Sequence, residues 1–122
     1  MKDEEHKIQT EFFNILRMSE SKNPILKYIF AVPNGSKRSI GVAKKLKAEG
    51  VKRGVPDVAV PISSQQYAGM FIEFKSEKGK LSKEQKEYIG HLENEGYYYV
   101  VCRTSCDAIT KLEKYLSIQI FE

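Results

Sequence analysis

Three side chains in this 122-residue sequence have the types and spacing for phosphoryl chemistry: Asp57 of Pro56-Asp57, and Glu73 and Lys75 of Glu73-Phe74-Lys75. Residues two apart on a strand project from one face, so Glu73 and Lys75 share a side of a sheet while Ile72 and Phe74 turn the other way, towards a helix. An antiparallel neighbour carrying Asp57 would bring two carboxylates and one ammonium together at a sheet edge. Magnesium, a hard cation, favours carboxylate oxygens and keeps several waters while it contacts phosphate. It would polarise a phosphoryl oxygen and lower the pKa of an attacking water. Lys75 would orient that water or offset charge growing on the phosphoryl oxygens. Two carboxylates alone repel a phosphate, so the cluster makes sense in a basic protein only with a cation between it and the substrate. The competing reading of Glu73 and Lys75 is an exposed cross-strand ion pair, contributing under ~1 kcal/mol.

Periodicity gives the elements that must position these residues. Ile8, Phe12, Ile15 and Leu16 recur at helical spacing and predict an amphipathic helix from Glu4 to Met18, ending in the polar stretch before Pro24. Tyr28 to Val32 reads as a strand closed by the turn residues Pro33-Asn34-Gly35. Ser39 is placed to cap a second helix through Ala48 that stops at Gly50. After the Gly54-Val55-Pro56 break, Asp57–Ile62 and Gly69–Lys75 read as neighbouring strands joined through a polar tip at Ser63–Gln66. Ser82 with Gln85 forms a capping-box pattern opening a third helix that runs to about Glu95. Tyr97 to Cys102 is a fourth strand, and Ser105 is expected to cap a last helix through about Leu116. The expected fold is α/β, one domain over residues 1–122, with a four-stranded mixed sheet and helices on both faces.

Composition narrows the function classes. A formal charge of +4 and a pI near 9.0 lean towards an anionic partner. Lys37, Arg38, Lys44, Lys45, Lys47, Lys52 and Arg53 fall within seventeen positions against one acid, Glu49, and run directly into Asp57. Read alone they are a solvated face. Beside the acidic motif, Arg38, Lys44 and Lys52 become candidate phosphate contacts, which position nucleic acid without reading its sequence. Cys102 and Cys106 have no further Cys pair or nearby His, so they are expected to be reduced and packed, not zinc ligands. The polar N-terminus has no signal-peptide core and no apolar run approaches the ~20 residues of a membrane span, which points to the cytoplasm. His6 and His91 lack ligand spacing. Tyr97, Tyr98 and Tyr99 are read as strand packing before base stacking.

The motifs occur in a telling order: Glu11 on the first helix, Pro33-Asn34-Gly35 with Arg38, Gly50-Val51-Lys52 with Gly54-Val55-Pro56-Asp57, Ile72-Glu73-Phe74-Lys75, and Ser82 with Gln85. This pattern resembles the VRR-NUC family (virus-type replication-repair nucleases), a branch of the PD-(D/E)XK nuclease superfamily, over nearly the whole chain. One departure is Ser36, where the family often has a further Gly. The resemblance implies that Asp57, Glu73 and the backbone carbonyl of Phe74 bind Mg2+ or Mn2+ and that Lys75 is the catalytic lysine. It implies too that Glu11 and Gln85 complete the site from flanking helices, although Gln85 also reads as a simple capping residue. The function so implied is a metal-dependent DNA endonuclease without small-molecule cofactor. As a stand-alone member it is similar to Holliday-junction resolvases, which cut branched DNA as homodimers. The alternatives are a nuclease acting on flap or linear duplex DNA and a non-catalytic DNA-binding module. A dimer interface is expected from the helices or the Tyr97–Val101 strand.

Overall fold

The computed structural model describes residues 3–33 and 39–121, so the expected turn at Asn34 and Gly35 and the basic Lys37 and Arg38 lie outside the described residues. Helix α1 spans Asp3–Ser19, and its buried Phe12 and Leu16 are drawn from the apolar stripe seen in the sequence. A short 3₁₀ turn, Pro24–Tyr28, follows and buries Leu26. It takes Tyr28 out of the expected strand, because Pro24 with its fixed φ sits in the first turn and starts helical geometry. The strand left, β1, is only Phe30–Ala31.

Helix α2 (Ile40–Ala48) is capped as expected: the Ser39 hydroxyl accepts from the amide of Val42 at 3.2 Å. No residue of α2 is buried. Strands β2 (Val58–Val60) and β3 (Met70–Phe74) pair antiparallel, with Val58 opposite Ile72. Helix α3 (Lys83–Asn94) then crosses to β4 (Tyr98–Cys102), which runs parallel to β3. Helix α4 (Ser105–Leu116) closes the described fold. Its cap is Thr104, whose hydroxyl accepts from the amide of Asp107 at 3.0 Å, and Ser105 is already inside the helix.

The sheet order is β1-β2-β3-β4, mixed, as the sequence predicted. Its two faces differ. Met70, Ile72 and Phe74 are fully buried beneath α1 and α4, where the rings of Phe12 and Phe74 meet edge-on at 5.4 Å. Apolar burial of this kind contributes ~25 cal/mol per Å² and fixes the register, since a one-residue slip would send Glu73 into that layer. Phe71 and Glu73 face α3. On the first side Tyr98 stacks on Tyr115 of α4 (5.9 Å), and on the other Tyr97 meets Phe71 (5.4 Å), so both serve packing as expected. Cys102 is buried, but Cys106 is exposed on the outer side of α4, contrary to the expectation that both would be packed. Among the described residues no helix is long and apolar enough to cross a membrane.

The segment between α2 and β2 is held against α3 by a glycine. Gly54 has φ +85°, and a Cβ there would stand 2.6 Å from the carbonyl oxygen of Glu84. Gly54→Ala should therefore cost about 1–3 kcal/mol of strain and lower the urea midpoint with an unchanged slope; an unaltered midpoint would show that the segment is free to move off α3.

Candidate active site

Asp57 stands immediately before β2, where its carbonyl still accepts from the amide of Val32 (2.8 Å). Antiparallel pairing sets it beside the end of β3. There its Oδ2 accepts from the amide of Phe74 at 2.7 Å, and this bond fixes the carboxylate next to Glu73. Asp57 is 3% and Glu73 2% exposed. Burial raises both carboxyls above the ordinary range, and the neighbouring Asp57 pushes Glu73 further. Both shifts favour a protonated form of the pair when no cation is near. One oxygen, Glu73 Oε1, is buried and receives no hydrogen bond from an N–H or hydroxyl group, while the Asp57 and Glu73 carboxyls lie within hydrogen-bond reach of each other. A buried acceptor left in that state is costly.

Gln85 supplies the other half of the pair's polar surroundings. Its Oε1 accepts from the amide of Ser82 (2.8 Å) and its own amide donates to Ser82 Oγ (3.1 Å), a complete capping box. The box leaves the Gln85 amino group aimed at the sheet, where Nε2 donates to Glu73 Oε2 at 3.3 Å. The two readings of Gln85 are thus one arrangement: the cap orients the side chain that reaches the acid. Lys75 follows β3 on the same side as Glu73, and its charge lowers the carboxyls of both Asp57 and Glu73, opposing the effect of burial.

Glu11 does not join this cluster. It is exposed on α1 and accepts from Ser105 Oγ of α4 at 3.0 Å. The α1 acid that faces the cluster is Glu5, buried, whose Oε2 accepts from the amide of Ser76 at 3.3 Å and whose charge adds to the upward push on Asp57 and Glu73. Helical geometry explains the exchange. Glu5 lies seven residues before Phe12, on the face that packs under β3, whereas Glu11 is turned about 100° away from Phe12, towards α4. The signal was present: Glu5, Ile8 and Phe12 fall at helical spacing, which puts an acid on the apolar stripe. Arg103, another residue the sequence did not single out, braces the loop beyond Lys75. Its Nη1 donates to the carbonyls of Ser76 (2.6 Å), Glu77 (3.1 Å) and Gly79 (2.8 Å). An arginine after a strand carries no pattern that would reveal this.

The cluster forms one wall of a cleft of about 1060 Å³, lined by Glu5, Asp57, Glu73, Lys75 and Gln85 on one side and by α2 and the segment after it on the other. Lys44 and Lys52 line it, as do Lys47, Arg53 and Lys80; Lys45 does not. The candidate phosphate contacts that can be placed therefore share a cleft with the acids, while Arg38 falls outside the described residues. Among the described residues no three His, Cys, Asp or Glu side chains converge closely enough to cage a metal. Two carboxylates suit a different ion, one that leaves much of its shell to water and phosphate, and magnesium does so. Glu73 Oε1, which receives no N–H or hydroxyl bond, fits the same donor set.

Comparison with known proteins gives the family and the fold. The model of the VRR-NUC domain family matches residues 5–105, a span that opens on Glu5. A solved structure described as a VRR_NUC domain protein superposes with a TM-score of 0.75 at 28% sequence identity, covering 100% of this chain and 95% of that one. No curated protein matches the chain.

The buried acids give the metal-free protein a distinctive pH response. The Glu73 carboxyl is raised from its ordinary 4.5 to about 10. The stability it contributes is full below pH 4.5 and drains away as pH rises towards 10. In EDTA, the melting temperature should fall between pH 5 and 9, and Glu73→Gln should flatten that fall and exceed the native protein by at least ~1 kcal/mol at pH 8. Identical pH profiles for the two proteins would mean that Glu73 is not buried against Asp57.

Proposed function

The chain belongs to the VRR-NUC nuclease family, and from that premise we propose that it is a metal-dependent DNA endonuclease whose active site is the Asp57–Glu73–Lys75 cluster. The observation that carries this reading is the pair of buried carboxylates opening onto a cleft whose other charges, Lys44, Lys47, Lys52, Arg53, Lys75 and Lys80 against Glu5 and Glu84, are mostly positive. Asp57, Glu73 and the carbonyl of Phe74 are the residues that would hold Mg2+ or Mn2+. The cation would supply charge neutralisation at the scissile phosphate and a more acidic attacking water.

The protein's own groups do the rest. Gln85 and the Phe74 amide hold the two carboxylates in place, so that little reorganisation is needed when substrate arrives. Lys75, half-buried beside them, orients the attacking water and offsets charge that builds on the phosphoryl oxygens. Lys44, Lys47 and Lys52 bind the flanking phosphates. Glu5, through the Ser76 amide, holds the loop after Lys75, and Arg103 braces that loop from the other end. A non-catalytic binding module is disfavoured by the same acids, since buried carboxylates facing phosphate only weaken binding when no cation is held.

Branched DNA, and a Holliday junction in particular, is the substrate within this proposal. A junction is cut on two strands of opposite polarity, and one chain offers one site, so a two-fold homodimer matches the symmetry. Apart from Ile40 in the cleft, the large apolar side chains more than half exposed among the described residues, and so open to such a contact, are Met18 at the end of α1, Tyr28, and Phe30 of the edge strand β1, at 83%, 57% and 52%. The β4 strand, Tyr98–Cys102, is the other edge of the described sheet, and the Tyr97–Val101 region stays a second candidate for this contact.

Incubation of a labelled four-way junction with Mg2+ tests the assignment. Cleavage is expected with Mg2+ and none in EDTA; Asp57→Asn should abolish it while leaving DNA binding intact. Lys75→Ala should lower the single-turnover rate at least ~100-fold, as removal of one transition-state stabiliser does. Normal single-turnover cleavage by Lys75→Ala, with only weaker binding, would remove the lysine from the chemistry.

A further inference from the structure

Helix α2 is unusual in this fold. It buries no residue, yet Ile40, Ala43 and Leu46 lie along the side that faces the cleft. Val51 and Val55 extend the same apolar strip towards Asp57. Ile40 lines the cleft while 78% exposed, and Ala43, Leu46, Val51 and Val55 are only half-buried, so the strip is left partly open among the described residues. None of these side chains belongs to the buried core.

A phosphodiester backbone gives such a strip nothing to bind. It presents anionic oxygens and sugars, which Lys44, Lys47 and Lys52 on the same side already suit. The apolar part of a nucleic acid is the face of its bases. In a duplex those faces are stacked on one another; only an unpaired strand can turn them towards a protein. A cleft of about 1060 Å³ is at the upper end of the range for ligand pockets, spacious enough for more than a bare phosphate.

We propose that the cleft takes its DNA as an unpaired strand, with bases flanking the cleaved phosphate laid against the Ile40–Ala43–Leu46 strip and their phosphates on the lysines. This rests on the nuclease reading and narrows it to substrates with an unstacked segment: a flap, a splayed arm or the opened crossover of a junction. The acids on the opposite wall then meet the backbone of that strand from the side away from its bases. Positive charge beside an apolar strip selects nucleic acid over an apolar protein segment, which would leave the lysines facing one another without counter-charge.

Binding in EDTA separates this proposal from catalysis. Fluorescence anisotropy with labelled oligo-dT and with a blunt duplex of equal length is measured for the native protein and for Ile40→Ser/Leu46→Ser. The double variant should lose at least about tenfold affinity for oligo-dT with the salt dependence unchanged, since phosphate contacts are retained, and should change duplex affinity less than twofold. Ile40→Trp, a stacking platform on an exposed position, should bind oligo-dT severalfold more tightly. Equal losses on both DNAs, no loss on either, or a shift in oligomeric mass in place of affinity would overturn the proposal. Failure of the native protein to cut any DNA with Mg2+ would instead remove the nuclease reading and leave the binding result standing.

Discussion

Two carboxylates forced together out of water are the constraint around which this structure is arranged. Asp57 and Glu73 are both nearly inaccessible; burial makes both harder to ionise, and Asp57 raises Glu73 further. Two such charges would be destabilising in any fold that did not need them. Their placement depends on the β2–β3 register, which the apolar side of β3 holds: Met70, Ile72 and Phe74 are fixed in the core, so Glu73 must face the other way. The Phe74 amide then takes Asp57 as its acceptor. Core packing on one face of a strand thereby determines acid placement on the other.

The helices serve that arrangement in unequal ways. α3 begins with a capping box whose glutamine reaches the sheet, so the start of a helix and the orientation of an acid's hydrogen-bond donor are one event. α1 brings Glu5 under the loop that follows Lys75, by the same helical stripe that carries Phe12 into the core. α2 contributes almost nothing to packing and instead forms the far wall of the cleft. A wall with few tertiary contacts is the low-stability end of a fold, where ligand-binding elements are commonly drawn from.

Much of this was legible in the sequence, because it depends on local rules. The Ser39 and Ser82 caps, the antiparallel β2–β3 pair and the shared face of Glu73 and Lys75 follow from residue type and period alone. What escaped was whatever a neighbouring residue could do equally well. Thr104 and Ser105 are both good caps; Thr104 takes the role, and the Ser105 hydroxyl, inside the helix, donates to Glu11 instead. Glu5 and Glu11 are both acids on α1, and the choice turns on a helix phase set by Phe12. The Tyr28–Val32 run has strand composition, but burial of Leu26 after Pro24 claims its first residue for a 3₁₀ turn. Arg103, acting through three backbone carbonyls, has no sequence signature at all.

The central claim is that the Asp57–Glu73 pair is a cation site held protonated until the cation arrives. Calorimetric titration of the protein with Mn2+ at pH 7, repeated in two buffers of different ionisation enthalpy, measures binding and proton release together. The account predicts saturable binding accompanied by release of up to one proton per ion bound, and loss of both in Asp57→Asn. Binding with no proton release, or unchanged binding by Asp57→Asn, would contradict it.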